Sequence, residues 1–394
     1  MTHSRIAPGA LKTGQPLPWD LCDESGRLLL RRGFVVEHEA QWQRLVQAGL
    51  YLRAADAAQA QGPGNAAGNA AGEPLGVAAA PAQSSTVFMR VAAILDRLQH
   101  LLVDPPPAAG FAPALLRLAD AVQQCFAMDP DAAIATIQLL TAHRYSVRRL
   151  VHAAILTELL LTHDGAAREE RRVALAAALT MNIAMLDLQD QLNHQTTPPD
   201  SAQQAQLRAH PQAGVAALQA LGVQDLQWLA GVAQHHETID GKGYPRGLEA
   251  DALSRHAQIL SMVDRYGSMA IGRAYRAPVL PNMVLKQIFL DKQSVDPKLA
   301  ALLVGAVGMY PPGSLVALAS GELAMVVKRS PVASQPLVYC LQDARGQRIA
   351  PPRRRLTSEP AFAVARLVAG SELAFAPDPA VLWDESFEMP ALAH

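Results

Sequence analysis

Between residues 87 and 308, apolar side chains recur at the three- and four-residue intervals of an α-helix, in one run after another. The first stripe is Val87, Val91, Ile94, Leu98 and Leu101, and it ends before Pro105-Pro106-Pro107. A second helix is expected at about 111–127, and Asp129-Pro130-Asp131 supplies a start signal for a third at about 131–141. The same periodicity predicts helices at about 144–162, 168–187, 201–221, 224–236, 252–272, 281–290 and 296–308. A stretch so continuously helical leaves no place for a central sheet, so a mainly α bundle is expected. Composition agrees: alanine supplies much of the apolar half of the chain and aromatics only 5%, which favours helices.

The flanks differ. Residues 1–54 read as a small α+β module with a sensory or docking role, or as a packing extension. Its hairpin runs from Trp19 to Cys22, through the turn Glu24-Ser25-Gly26-Arg27, to Leu28-Leu29-Leu30, and a helix comes next at Glu39 to Ala48. Residues 55–86 are Ala, Gly, Gln, Pro and Asn without periodicity, a flexible linker. The helical domain is then expected at 87–310. From Pro311-Pro312-Gly313 onward, Ser314 to Leu318, Glu322 to Val327 and Leu337 to Leu341 are rich in β-formers, predicting a small β appendage at 311–356. Within it, Pro351-Pro352-Arg353-Arg354-Arg355 reads as a solvated loop or a partner-docking run. Residues 357–394 form a tail without a clear chemical signal.

A formal net charge of −1 over 394 residues gives no electrostatic case for a nucleic acid polymer or an anionic membrane. The three cysteines, Cys22, Cys125 and Cys340, show no metal-binding spacing and fit a reducing compartment. The first residues lack the apolar core of a signal peptide, and no run of about 18 uncharged apolar residues is present. A cytoplasmic chain without a membrane span is therefore expected.

The chemistry concentrates in one stretch. His235-His236-Glu237 closes a helical segment carrying Leu226, Leu229, Ala230 and Ala233. The chain then passes through Thr238-Ile239-Asp240-Gly241-Lys242-Gly243-Tyr244-Pro245-Arg246-Gly247-Leu248. Adjacent imidazoles at a helix end can both reach a divalent metal. Glycines after them let the backbone approach a bound anion.

This string resembles the signature of the HD-GYP family, bacterial metal-dependent phosphodiesterases that open cyclic di-GMP. HHE, then DG, then GYP and GL all stand here. The resemblance covers about half of the chain, and it implies an HD-type helical core at about 130–310 holding two or three metal ions. It implies metal-ligand ancestry for His210, in Ala209-His210-Pro211, for His235 and His236, and for Asp264, in Met262-Val263-Asp264-Arg265-Tyr266. It places Gly243, Tyr244 and Pro245, with Arg273 and Arg276 of the Arg273-Ala274-Tyr275-Arg276 run, at the substrate. Tyr310-Pro311-Pro312-Gly313-Ser314 is also similar to the segment on the C-terminal side of some HD-GYP cores.

The other half of the expected site departs from the family. Where the family carries His-Asp and then Gly-Lys, this chain has Met181-Asn182 and Ala184-Met185. Tyr145-Ser146-Val147 stands where an upstream His-Ser-Val is expected. A literal His163-Asp164 comes after the apolar run Ile155 to Leu161 and reads as a helix-ending loop rather than a displaced metal pair. Asparagine is neutral, and a thioether is a soft ligand poorly suited to iron or manganese. Two divalent ions about 4 Å apart repel by four times a unit-charge term of roughly 4 kcal/mol at an effective dielectric near 20. Without a bridging carboxylate that repulsion is uncompensated.

The resemblance leaves two functions open. The favoured one is a degenerate HD-GYP protein of bacterial cyclic di-GMP signalling, a non-catalytic binding or scaffolding module contacting other signalling proteins. It would bind cyclic di-GMP or a related cyclic dinucleotide, and hold one iron, manganese or zinc ion weakly or none. The alternative is an active metal-dependent cyclic di-GMP phosphodiesterase. Tyr145, Met181, Asn182 and Met185 stand against it; His210, His235, His236, Asp264 and the intact loop stand for it.

Overall fold

The periodic apolar stripes become helices because each has a face to bury. In the computed structural model, residues 83–272 and 276–383 are described, with four short strands before residue 53. The chain forms two units, Met1–Val77 and Ala78–His394. In the first, β1 (Ser4–Arg5), β2 (Leu21–Cys22), β3 (Leu28–Leu30) and β4 (Tyr51–Leu52) make an antiparallel sheet in the order β1-β4-β2-β3. Leu21 pairs with Leu30, as the expected hairpin requires. The helix read at Glu39 to Ala48 and the linker up to residue 82 lie outside the described residues.

The second unit is mostly helical, with a small antiparallel sheet toward its C-terminal end. Helices α1 (Gln83–Val103), α2 (Ala108–Met128) and α3 (Pro130–Leu139) lead into α4 (Tyr145–His163). Asp129 caps α3, its carboxylate accepting from the Ala132 amide at 2.8 Å. Almost every residue of α4 is buried, so it is the helix around which α2, α5, α9 and α11 pack. Then come α5 (Arg168–Thr180), α6 (Leu186–His194), α7 (Ser201–Ala220), α8 (Leu226–Gln234), α9 (Arg255–Ala270), α10 (Pro281–Leu290) and α11 (Pro297–Val307).

One expected helix is two. The segment read as continuous over about 168–187 stops at Thr180, turns through a 3₁₀ segment at Ile183–Met185, and restarts as α6. Asn182 leaves the helical region at φ −109° and ψ 17°. Asparagine competes poorly in helix interiors, and Thr180 caps the break by donating to the Ala176 carbonyl while accepting from the Trp228 indole at 2.8 Å. By length and apolarity the stretch Arg168–His194 passes as a membrane span, but 67% of its most apolar window is buried among the other helices.

The C-terminal sheet holds β5 (Leu315–Leu318), β6 (Leu323–Lys328), β7 (Leu337–Gln342), β8 (Arg348–Leu356) and β9 (Val364–Val368), in the antiparallel order β8-β7-β6-β5-β9. Two expectations are corrected here. The Pro351-Pro352-Arg353-Arg354-Arg355 run is an edge strand rather than a solvated loop, with Cys340 opposite Arg353 and Val338 opposite Arg355. An outer strand tolerates prolines and suits charge. Arg355 is held by Glu322 at 2.7 and 3.1 Å. The region read as a featureless tail supplies β9, with Leu315 opposite Val368. It also supplies Trp383, whose ring lies 5.1 Å from that of Phe88.

The sheet is tied to the bundle by Asp131, buried on α3, and Arg329, the residue after β6: Nε donates to the carboxylate at 2.5 Å. Replacing Arg329 by methionine leaves that carboxylate without its counter-charge, at a cost of about 3 kcal/mol. Urea denaturation should show the loss, and Arg329→Met with wild-type stability would show that the pair does not hold the sheet.

Candidate metal centre

His210 sits in the middle of α7, immediately before Pro211. Proline has no amide hydrogen to give to the carbonyl four residues back, so Leu207 keeps a free acceptor. The His210 ring takes it: Nδ1 donates to the Leu207 carbonyl at 2.6 Å. His235 comes directly after the last turn of α8, where carbonyls also lack helical partners. Its Nδ1 donates to the Val232 carbonyl at 2.7 Å. A carbonyl accepts only, so both rings carry their proton on Nδ1 and present a bare Nε2 lone pair.

Those two Nε2 atoms lie 3.0 Å apart. Neither has a hydrogen to offer the other, so the contact is favourable only with a cation facing both. His236 completes the set, its ring 5.0 Å from His210 and 4.2 Å from His235. One ligand atom from each of the three imidazoles falls within 4.8 Å of the others. Burial first, and then mutual charge, lowers His210 and His235 from 6.5 to about 3; burial likewise lowers His236 to about 4. All three are neutral near pH 7, the state in which imidazole binds a metal. Three neutral imidazoles, two of them oriented by backbone carbonyls, fit one divalent ion.

Asp264 lies on α9 and is buried. Burial pushes its carboxyl up, but Arg149 and the nearby imidazoles outweigh that and hold it well below the usual carboxylate range. Its partner is the guanidinium of Arg149, on α4. Arg149 escaped the sequence reading, although an arginine in the second turn of an otherwise largely apolar helix was the signal for it.

The loop after the histidines is built around Glu237, which is 2% exposed. Its carboxylate accepts from the Arg246 amide at 2.7 Å and the Leu248 amide at 3.0 Å, closing the loop on itself. The Tyr244 amide donates to the His236 carbonyl at 3.1 Å, which draws Gly243 against the chain. A Cβ on Gly243 would stand 2.4 Å from the Glu237 Cα. The Tyr244 ring consequently stacks on His236, 4.7 Å between centroids and 20° between planes. The Arg208 guanidinium, which the sequence did not single out, lies 6.0 Å from the centre of the Tyr244 ring.

The positions that depart from the family take other roles. Tyr145 is buried at the start of α4, and Met181 belongs to the apolar core. Asn182 is fully buried, with neither amide atom hydrogen-bonded. Because the helix breaks there, Asn182 and Met185 do not share one helical face. It is Ala184 and Met185 that line, with His210 and Ala213, a cleft of about 680 Å³. The guanidinium of Arg276 is exposed and donates to the Ser268 carbonyl, and Arg273 lies outside the described residues. Asp164 pairs with Arg255 at 2.9 Å, so His163-Asp164 is an ordinary surface pair.

A family profile described as HD domain matches residues 126–299. The chain contains an HD-GYP family domain. It is 26% identical over 212 residues to the cyclic di-GMP phosphodiesterase PA4108 of Pseudomonas aeruginosa, covering 54% of this chain and 51% of that protein. It is 26% identical over 170 residues to the 3'3'-cGAMP-specific phosphodiesterase 3 of Vibrio cholerae, covering 42% of this chain and 36% of that one. The chain thus spans about half or less of the length of these relatives. Bd1817, an HDG"Y"P protein from Bdellovibrio bacteriovorus, aligns with a TM-score of 0.49 at 15% identity, over 77% of this chain and 98% of that one.

The histidine cluster and the loop beside it have two measurable consequences. The buried imidazoles have folded values below the unfolded 6.5, so the unfolded chain takes up protons that the native state refuses. Their contribution is fully present above about pH 6.5 and is lost as pH falls toward about 4 and then 3. Calorimetric Tm should drop steeply below about pH 6; a flat profile there would contradict neutral, buried rings. Gly243→Ala should cost about 2–4 kcal/mol in chemical denaturation, because its Cβ meets backbone that cannot yield.

Proposed function

We propose that this domain is a non-catalytic cyclic-dinucleotide-binding module of HD-GYP-type signalling, with at most one weakly held divalent ion, iron, manganese or zinc. The observation that carries this reading is Asn182. It is buried where the family resemblance puts the aspartate of a two-metal site, and its amide is neutral and unbonded. A two-metal centre works by clamping the attacking and departing oxygens between its ions. Without a carboxylate bridging them, a pair of dications is not held together.

The relatives support the ligand class, since they act by name on cyclic di-GMP and on 3'3'-cGAMP. In this reading the Gly243-Tyr244-Pro245 loop and its stacked Tyr244 face the dinucleotide. The three imidazoles and, by family ancestry, Asp264 form the remnant metal site. Residues 1–54 act as a sensory or docking module, 55–86 as a linker, and the β unit at 311–356 with the segment 357–394 as an appendage of the helical domain. A cytoplasmic place and contacts with other signalling proteins complete the reading.

The second reading, a metal-dependent phosphodiesterase, is favoured by one feature: the Nε2 atoms of His210 and His235 are poised for a cation. Incubating the protein with cyclic di-GMP or 3'3'-cGAMP and manganese or ferrous iron separates the two. Binding without a linear or mononucleotide product is expected. The combined restoration Tyr145→His, Met181→His, Asn182→Asp, Ala184→Gly and Met185→Lys should raise hydrolysis by about a hundredfold or more, because it returns both the bridging carboxylate and a fixed positive charge. An unmodified protein that already hydrolyses as fast as the restored one would establish the enzyme instead.

A further inference from the structure

A carboxylate expected to face metal ions faces an arginine instead. The Arg149 Nη2 donates both to the Asp264 carboxylate and, at 3.0 Å, to the backbone carbonyl of the same residue. Arg149 is 3% exposed and Asp264 8%, so water does little to screen the pair. The guanidinium packs against Gly267, one turn along α9 from Asp264, where a Cβ would lie in ordinary contact at 3.6 Å from the Arg149 Cζ. The other guanidinium nitrogen, Nη1, is buried with no hydrogen-bond partner. The same positive charge also bears on His235 and His236.

We propose that the Arg149 guanidinium is an internal cation standing in for a metal ion at Asp264, so that this site, with the uncharged Asn182 in place, takes a single divalent ion on its three imidazoles and not a pair. A guanidinium is charged at every accessible pH, so the substitution is permanent rather than conditional. A metal ion approaching Asp264 meets a second cation on the same carboxylate, and displacing Arg149 would leave its charge buried and unpaired. Asn182 offers no negative charge to share. The inference rests only on the three histidines and Asp264 being the remnant of a metal centre, and it does not depend on what the domain binds.

The test is titration of the chelator-stripped full chain with manganese and zinc by calorimetry, with folding monitored by circular dichroism. The wild-type protein should take one ion. Arg149→Gln should bind that ion about tenfold or more tightly, because Asp264 is then free to join the imidazoles and the neighbouring positive charge is gone. Arg149→Gln with Asp264→Asn removes both charges together and leaves no lone buried ion to endanger folding. Its affinity should stay within about threefold of wild type. Two ions per wild-type chain, a folded Arg149→Gln without tighter binding, or a tenfold loss in the double variant would each overturn the proposal. The last result would mean that Asp264 already ligates in the wild-type protein. Should Arg149→Gln fail to fold, the wild-type stoichiometry and the double variant still decide. Cyclic di-GMP added to the same wild-type sample reads the proposed function separately, and failure to bind it leaves the Arg149 inference standing.

Discussion

Helix α8 approaches α5 and α9 at Gly231, where a Cβ would stand 3.0 Å from the Ala177 Cβ and 3.1 Å from a Leu260 methyl. Across the other side of α8, Gly214 of α7 meets Val232 in the same way, with 3.2 Å to a valine methyl. These small residues bring four helices to near backbone contact, closer than larger side chains allow. One turn beyond Gly231 stands His235, and one turn before Gly214 stands His210. The 3.0 Å approach of their rings is a consequence of that packing. Any side chain that pushed α7 from α8 would separate the rings before it touched them.

Electrostatics then divides the site in two. On the imidazole side, burial keeps three rings neutral, and backbone carbonyls at a proline step and a helix end fix where two of them carry their hydrogens. On the carboxylate side, Arg149 and Asp264 neutralise each other in the interior. The first half is arranged to receive a cation and the second already contains one. Asn182 lies buried without charge or partner.

The loop joining the two histidines to Tyr244 is held by hydrogen bonds to Glu237, not by packing alone. Buried carboxylates that accept from backbone amides are strong, directional clamps. The HHE and GYP elements are therefore one structural device: the glutamate closes the loop, Gly243 permits the close pass, and Tyr244 is laid on His236.

Local periodicity was enough to read the helices, since each amphipathic stripe and cap signal acts within a few residues. His210, His235 and His236 were legible because a short motif encodes their backbone setting: a proline after one, a helix end at the others. The break after Thr180 was not legible, because apolar periodicity runs on through Met181-Asn182 while a hydroxyl and an indole from elsewhere settle where the helix stops. The strands at Arg348–Leu356 and Val364–Val368 were also hidden. The prolines and arginines of the first look like loop until a neighbouring strand supplies hydrogen bonds. Arg149 belongs to the same class. Its sequence neighbours show only a charge in an apolar helix, and its counter-ion is 115 residues away. The sequence determined which three histidines cluster and the loop beside them. Tertiary structure decided how the charges around them are paired, because an ion pair between distant helices exists only once those helices pack.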